Sequence, residues 1–188
     1  MTPRRIACIR LPDPAPALEA GARAALSGAL LAAAPRVIPV RGHPRAFWAD
    51  VTGMEGHGGD AGVGRALADA AERAGWMARV GVAGCCIAAA AATRERAVPV
   101  RVVPPGREAA YLRRRSLALM PISADLRQSL ELLGMRTCGD LAALVPAEVE
   151  LRFGNEGLRA WRLAHGDDTR WPFRPARAPA AGGPCSCR

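Results

Sequence analysis

Lysine is absent from this chain: all 26 basic residues are arginine, set against 17 acidic ones, for a formal charge of +9. Arginine offers phosphate a planar, bidentate fork where lysine offers a point charge. The field of an arginine-rich face attracts polyanions. A GC-rich coding bias, legible in the Ala, Arg, Gly and Pro content, yields the same composition, and the two readings are compatible. Aromatic residues are scarce, at 4%. Half the chain is apolar, but much of that is alanine, which buries little area, so modest stability is expected. Uncharged apolar runs of about 18 residues are missing, which leaves no candidate for a membrane-spanning helix.

Metal-ligating clusters are missing as well. The six cysteines are Cys8, Cys85, Cys86, Cys138, Cys185 and Cys187. Cys185-Ser186-Cys187 has no second pair at ligand spacing and is read as incidental. Cys85-Cys86 opens a helix and is read as small buried residues rather than a reactive thiol pair. His43, His57 and His165 are scattered. Neither a metal nor a cofactor is therefore expected. The N-terminus enters a strand without a sustained apolar stretch, so the expectation is a reduced, cytoplasmic protein.

With 188 residues the chain allows one ordinary domain or two small ones. Arg4–Leu11 reads as a strand, ended by Pro12, Pro14 and Pro16. Ala17–Ala34 has helical spacing and stops at Pro35. Arg36–Val40 is a second strand. A turn at Gly42-His43-Pro44 leads into a third, where Phe47, Ala49 and Val51 alternate with Trp48 and Asp50. A helix capped by Asp60 ends at Gly75; Met77–Ala83 is a strand, a helix runs from Gly84 to Thr93, and Val98–Val103 is extended. This pattern predicts a four-stranded antiparallel sheet of βαββαβ type with helices on one face, a ferredoxin-like α+β arrangement over 1–104.

The segment 105–172 reads as purely helical, with a disordered tail at 173–188. Ser123 caps a helix carrying Leu126, Leu130 and Leu133. Thr137 and Asp140 fit a capping box with a shortened acid. Pro146 starts a helix that ends near Gly154, and Asn155 caps the next. Leu130-Glu-Leu-Leu-Gly-Met-Arg-Thr-Cys-Gly-Asp-Leu141 is the most specific motif. Two short helices are joined by a glycine connector that Met135 plugs. Free backbone N–H groups at Gly134, Thr137 and Gly139 would make an anion site for a nucleic-acid phosphate, read without regard to sequence. Arg136 and the run Arg113-Arg114-Arg115 would add charge. The same spacing also fits an ordinary αα-hairpin with a solvated basic face.

Four stretches together resemble a Y-family translesion DNA polymerase, in particular its ImuB-type subfamily, from Arg4 to Trp171. Arg36-Val-Ile-Pro-Val with Phe47-Trp-Ala-Asp-Val-Thr-Gly53 resembles the palm hairpin. Val80-Gly-Val-Ala-Gly84 resembles the palm strand before an Asn-Lys pair, and Val102-Val-Pro-Pro-Gly106 the palm–thumb connection. Leu119 to Leu144, with Arg152-Phe-Gly-Asn-Glu-Gly-Leu158, resembles the helix-hairpin-helix thumb.

The resemblance implies carboxylates holding two Mg²⁺ ions for nucleotidyl transfer. Against that pattern the metal-binding positions fall on Arg10, Arg45 and Ala46, and the Asn-Lys pair on Cys85-Cys86. By the same resemblance, a chain without most of the fingers, without the little finger and without an evident clamp-binding tail is expected. The resemblance therefore implies a non-catalytic protein of DNA repair and the SOS response, binding DNA phosphates through its thumb. A protein-binding scaffold of an inducible mutagenesis complex, with another DNA polymerase, a sliding clamp or a recombinase-like accessory protein as partner, is the alternative, and a decayed remnant a third.

Overall fold

The computed structural model describes residues 3–12 and 18–173. A strand apolar on both faces must lie inside a sheet. β1 (Ile6–Arg10) is such a strand, with Ile6, Ala7, Cys8 and Ile9 all buried. It lies at the centre of a five-stranded sheet of order β2-β3-β1-β4-β5. β2 (Arg36–Pro39) and β3 (Ala46–Asp50) form the expected antiparallel hairpin, closed through the turn by the Ala46 N–H to the His43 carbonyl at 3.1 Å. β3 and β4 (Arg79–Ala83) flank β1 antiparallel.

Period-two alternation splits the sheet into two cores. On one face Ala7, Ile9, Phe47, Ala49, Val80 and Val82 are covered by α1 (Ala20–Leu31) and α2 (Gly59–Arg73). On the other, Ile6, Cys8 and Ala83 meet α3 (Cys86–Ala92) and the helical part.

The architecture is the expected ferredoxin-like sheet with an appended helical part, and three details differ. A fifth strand, β5 (Val100–Val102), pairs parallel to β4, because α3 crosses over between them. That crossover puts α3 on the face opposite α1 and α2. Asp60 does not cap α2; Gly58 stands at the cap position with φ 81°, and Asp60 is free to reach Arg5 at 2.5 Å.

α4 (Glu108–Leu112) leads into α5 (Ala124–Leu132), α6 (Cys138–Ala142) and α7 (Pro146–Ala164). The Ser123 hydroxyl accepts the Leu126 N–H, and Thr137 with Asp140 closes the capping box, both as the sequence indicates. Leu126, Leu130, Leu141 and Val149 are buried, whereas Leu133 is 54% exposed, because the helix ends one residue before it. α7 breaks at Gly154 (φ 62°, ψ −160°), where two helices were expected. After α7 the chain returns to the sheet. The buried Asp168 carboxylate accepts the Ile87 N–H at 2.9 Å, and Phe173, placed at the start of the expected tail, is buried in the core. Residues 174–188, with Cys185 and Cys187, lie outside the described residues.

Candidate nucleic-acid interface

The hairpin between α5 and α6 is built by local hydrogen bonds. Gly134 has φ 78°, the left-handed conformation that ends a helix cheaply only with glycine. Its N–H bonds the Glu131 carbonyl at 2.9 Å, and the Met135 N–H bonds Leu130 at 3.0 Å, which is a Schellman motif. Met135 is half-buried against the core and plugs the gap as expected.

The expected free N–H groups are not free. The Gly134 N–H is taken by Glu131. The Thr137 N–H donates to Asp140 Oδ2 at 2.8 Å, and the Arg136 N–H to the same oxygen at 2.9 Å. The Gly139 N–H donates to the Arg113 carbonyl at 3.0 Å. The reason is long-range. Residues 113–117 run alongside 136–139, with a bridge between Ser116 and Thr137 and the Cys138 N–H on the Arg115 carbonyl at 2.8 Å. A β-carbon at Gly139 would stand 2.7 Å from the Arg113 oxygen, so the close approach needs glycine. Hydrogen bonds from the Arg136 and Thr137 amides and the Thr137 side chain lower the Asp140 pKa, keeping a negative charge where an anion was expected.

The same pairing brings the basic run to the hairpin, a juxtaposition that sequence spacing does not show. Arg113, Arg114 and Arg136 are exposed around it. Arg115 is not available in the same way. Its guanidinium bonds Glu95 and lies 4.2 Å over the Tyr111 ring. Glu95 also accepts from the Tyr111 hydroxyl at 2.7 Å and from Arg101. Desolvation opposes ionisation of Glu95, but the hydrogen bonds from Tyr111 and Arg101 and the charges of Arg115 and Arg101 outweigh it and lower its pKa.

A carboxyl with a lowered folded-state pKa contributes stability above its unfolded value of about 4.3, and that contribution is lost as pH falls through the folded value. Glu95→Gln is expected to flatten this part of the acid limb. Urea midpoints between pH 7 and pH 3 for both proteins measure it; parallel acid limbs would refute the assignment.

Arg10, Arg45 and Ala46 converge at one end of the sheet. Arg10 is the cross-strand partner of Ala46, and the Leu11 N–H bonds the Arg45 carbonyl at 3.0 Å. Nothing among these three side chains can donate oxygen to Mg²⁺, and two are cations that repel it, so they do not fit the metal pair. Asp50, at the far end of β3, is buried, pairs with Arg36 and accepts the Thr52 N–H at 3.1 Å. Among the described residues no group of three or more His, Cys, Asp or Glu is placed to hold a metal ion. The Cys85 and Cys86 thiols are buried, and burial pushes them up to about 11 and about 12, which fits inert core residues. Among the described residues no helix is long and apolar enough to cross a membrane.

No protein-family model and no curated protein sequence matches the chain. Its fold, however, is found in solved polymerase structures. DinB from Sulfolobus solfataricus superposes with a TM-score of 0.60 and 20% identity, over 78% of this chain and 44% of that one. A DinB family error-prone DNA polymerase from Sulfolobus solfataricus gives 0.62 and 14%, over 87% and 66%. A Y-family DNA polymerase chimera of Dbh and Dpo4 gives 0.60 and 20%, over 85% and 49%. The expectation that the chain is not an enzyme is thereby corrected. The structures sharing its fold are DNA polymerases, and replaced carboxylates at Arg10, Arg45 and Ala46 do not by themselves show a loss of catalysis. This chain spans from 44% to 66% of these three chains, and over that span it has the fold of part of a Y-family DNA polymerase.

Proposed function

We propose that this protein acts on DNA in repair or translesion synthesis and grips the phosphate backbone, without reading sequence, through the α5–α6 hairpin. The observation that carries the reading is the pairing of residues 113–117 with 136–139, which sets three exposed guanidiniums, Arg113, Arg114 and Arg136, around one glycine turn. The backbone N–H groups are occupied, so side-chain charge does the binding, and its contribution is screened by salt.

The test is the affinity of the chain for primer–template DNA between 50 and 200 mM salt, compared with Arg113→Ala/Arg114→Ala/Arg136→Ala. Each lost phosphate contact lowers the slope of log K against log salt by about one. The triple variant is expected to lose about three in slope and at least about tenfold in affinity at the lower salt. An unchanged slope would sink the proposal.

Assembly with another polypeptide is the second reading. It is favoured by Leu132 and Leu151, which are 81% and 88% exposed on α5 and α7. Leu132→Ser/Leu151→Ser is expected to leave DNA affinity intact while abolishing binding to a purified sliding clamp or partner polymerase; undiminished binding by the variant counts against it.

A further inference from the structure

Helix α3 has little of its own to hold it in place. Its sequence is Cys86-Ile87 followed by five alanines. Alanines bury little area per contact, so neighbouring elements meet a smooth apolar surface on which packing alone sets no unique position. Cys85, at the N-cap position, makes no side-chain hydrogen bond. This helix end is buried, and a buried N–H without a partner is costly. The partners come from the helical part instead. The Gly84 N–H donates to Glu108 Oε1 at 3.0 Å, and the Ile87 N–H to Asp168 Oδ2 at 2.9 Å. Asp168 stands 81 positions further along the chain.

Asp168 belongs to a segment that leaves α7 and crosses back to the sheet. Its carboxylate has no exposed surface. Besides the Ile87 amide it accepts the Arg170 N–H at 3.2 Å and the Arg170 guanidinium at 2.6 and 2.7 Å, so its buried charge is paired. The Cys86 thiol donates to the Arg170 carbonyl at 3.5 Å. Beyond it Trp171 and Phe173 pack edge to face, 5.3 Å apart. Arg4, just before β1, lies 5.2 Å over Trp171, and Arg36 of β2 lies 5.3 Å over Phe173. At the other end of the segment, α7 carries the hairpin. The Trp161 indole donates to the Leu144 carbonyl at 2.9 Å, and Glu156 accepts the Ser123 N–H and hydroxyl at 2.6 and 3.0 Å.

We propose that residues 166–173 form a strap that locks the helical part to the sheet, with Asp168 as its buckle. Directional hydrogen bonds at Asp168 set the position that the alanine face of α3 leaves open. The lock keeps the α5–α6 hairpin in one orientation to the sheet. Its use in gripping DNA rests on the function proposed above; the lock itself does not.

The test places spin labels at Arg65→Cys on α2 and Arg159→Cys on α7, both exposed, in the full chain carrying Cys185→Ser/Cys187→Ser. Cys8, Cys85, Cys86 and Cys138 are buried and escape labelling. Pulsed dipolar electron paramagnetic resonance is expected to give one narrow distance. Asp168→Ala should widen that distribution at least about twofold and speed exchange of the Ile87 amide about 100-fold, because the amide loses its acceptor. Asp168→Asn keeps an acceptor for Ile87 but not the charge facing Arg170, and should widen the distribution by less. Where Asp168→Ala does not fold, Asp168→Asn decides.

Primer–template DNA labelled at its duplex end gives the second measurement. Arg113, Arg114 and Arg136 all belong to the helical part, so Asp168→Ala should keep DNA affinity within about threefold while the distance from the DNA label to α2 broadens. Absence of DNA binding by the parent chain would end the function proposed above and leave the strap to the two protein labels. A protein-label distance as narrow in the Asp168 variants as in the parent would overturn the strap, whatever the amide does.

Discussion

Replacing Arg5 by methionine is expected to cost about 3–5 kcal/mol of folding stability, the usual consequence of removing one partner from a buried ionic group. The Arg5 side chain is 3% exposed. Its Nη2 donates to Asp60 Oδ2 at 2.5 Å and to the Val103 carbonyl at 2.8 Å, and its Nη1 stands 3.6 Å from Glu108 Oε1. Glu108 in turn accepts the Gly84 N–H at 3.0 Å. One cation thus joins β1, α2, the end of β5 and α4. Without it two carboxylates are left facing each other with no charge between them, and a buried carbonyl loses its donor.

Against a typical stability of about 5–15 kcal/mol, the loss would consume a large part of the total. It would lower the melting temperature on the order of 10 °C. Thermal and urea unfolding of Arg5→Met measure this directly. Adding Asp60→Asn and Glu108→Gln should return part of the loss, because the uncompensated charges are what cost most. A loss below about 1 kcal/mol for the single variant would show that the network is not held by Arg5.

Gly81 gives the second large effect, and its cause is steric. A β-carbon built there would fall on the Ala89 carbonyl oxygen and stand 2.6 Å from the Ala92 β-carbon. Helix α3 crosses β4 at this residue, and both atoms belong to a packed helix that cannot move aside alone. Gly81→Ala is expected to destabilise by about 1–3 kcal/mol, and Gly81→Val by more, as overpacking does. Gly28 serves as the contrast. It lies within α1 with open space around its α-carbon, so Gly28→Ala is expected to stabilise by about 0.4–1 kcal/mol. Equal effects at the two positions, by urea titration, would rule out the steric cause.

These two networks also separate what the residues announce from what the fold decides. Local order was legible. The alternation in Phe47–Val51, the cap at Ser123, the capping box of Thr137 and Asp140 and the glycine end of α5 rest on contacts within a few residues of one another, where period and side-chain chemistry leave few choices. The expectation of an α+β fold, a sheet with an added helical part, follows from that order.

The free N–H groups assigned to Gly134, Thr137 and Gly139 were wrong for the opposite reason. The Arg113 carbonyl that takes the Gly139 N–H lies 26 positions away in sequence, and no spacing rule reports it. The Asp140 carboxylate that takes the Thr137 N–H was visible as a capping acid, but its occupation of the anion position was not. The side of the sheet on which α3 packs likewise depended on β5 joining parallel to β4, a contact made only after a crossover.

By itself, then, the sequence determined most of the elements, the caps at Ser123 and Thr137 and a chain whose positive charge is all arginine. Tertiary structure alone decided that Arg10, Arg94 and Arg127 line one cavity and that Arg5 is buried. The physical reason is that propensity and capping act within a turn or two of chain. Electrostatic fields and hydrogen-bond partners depend on distances in space, which the chain sets only once it has folded.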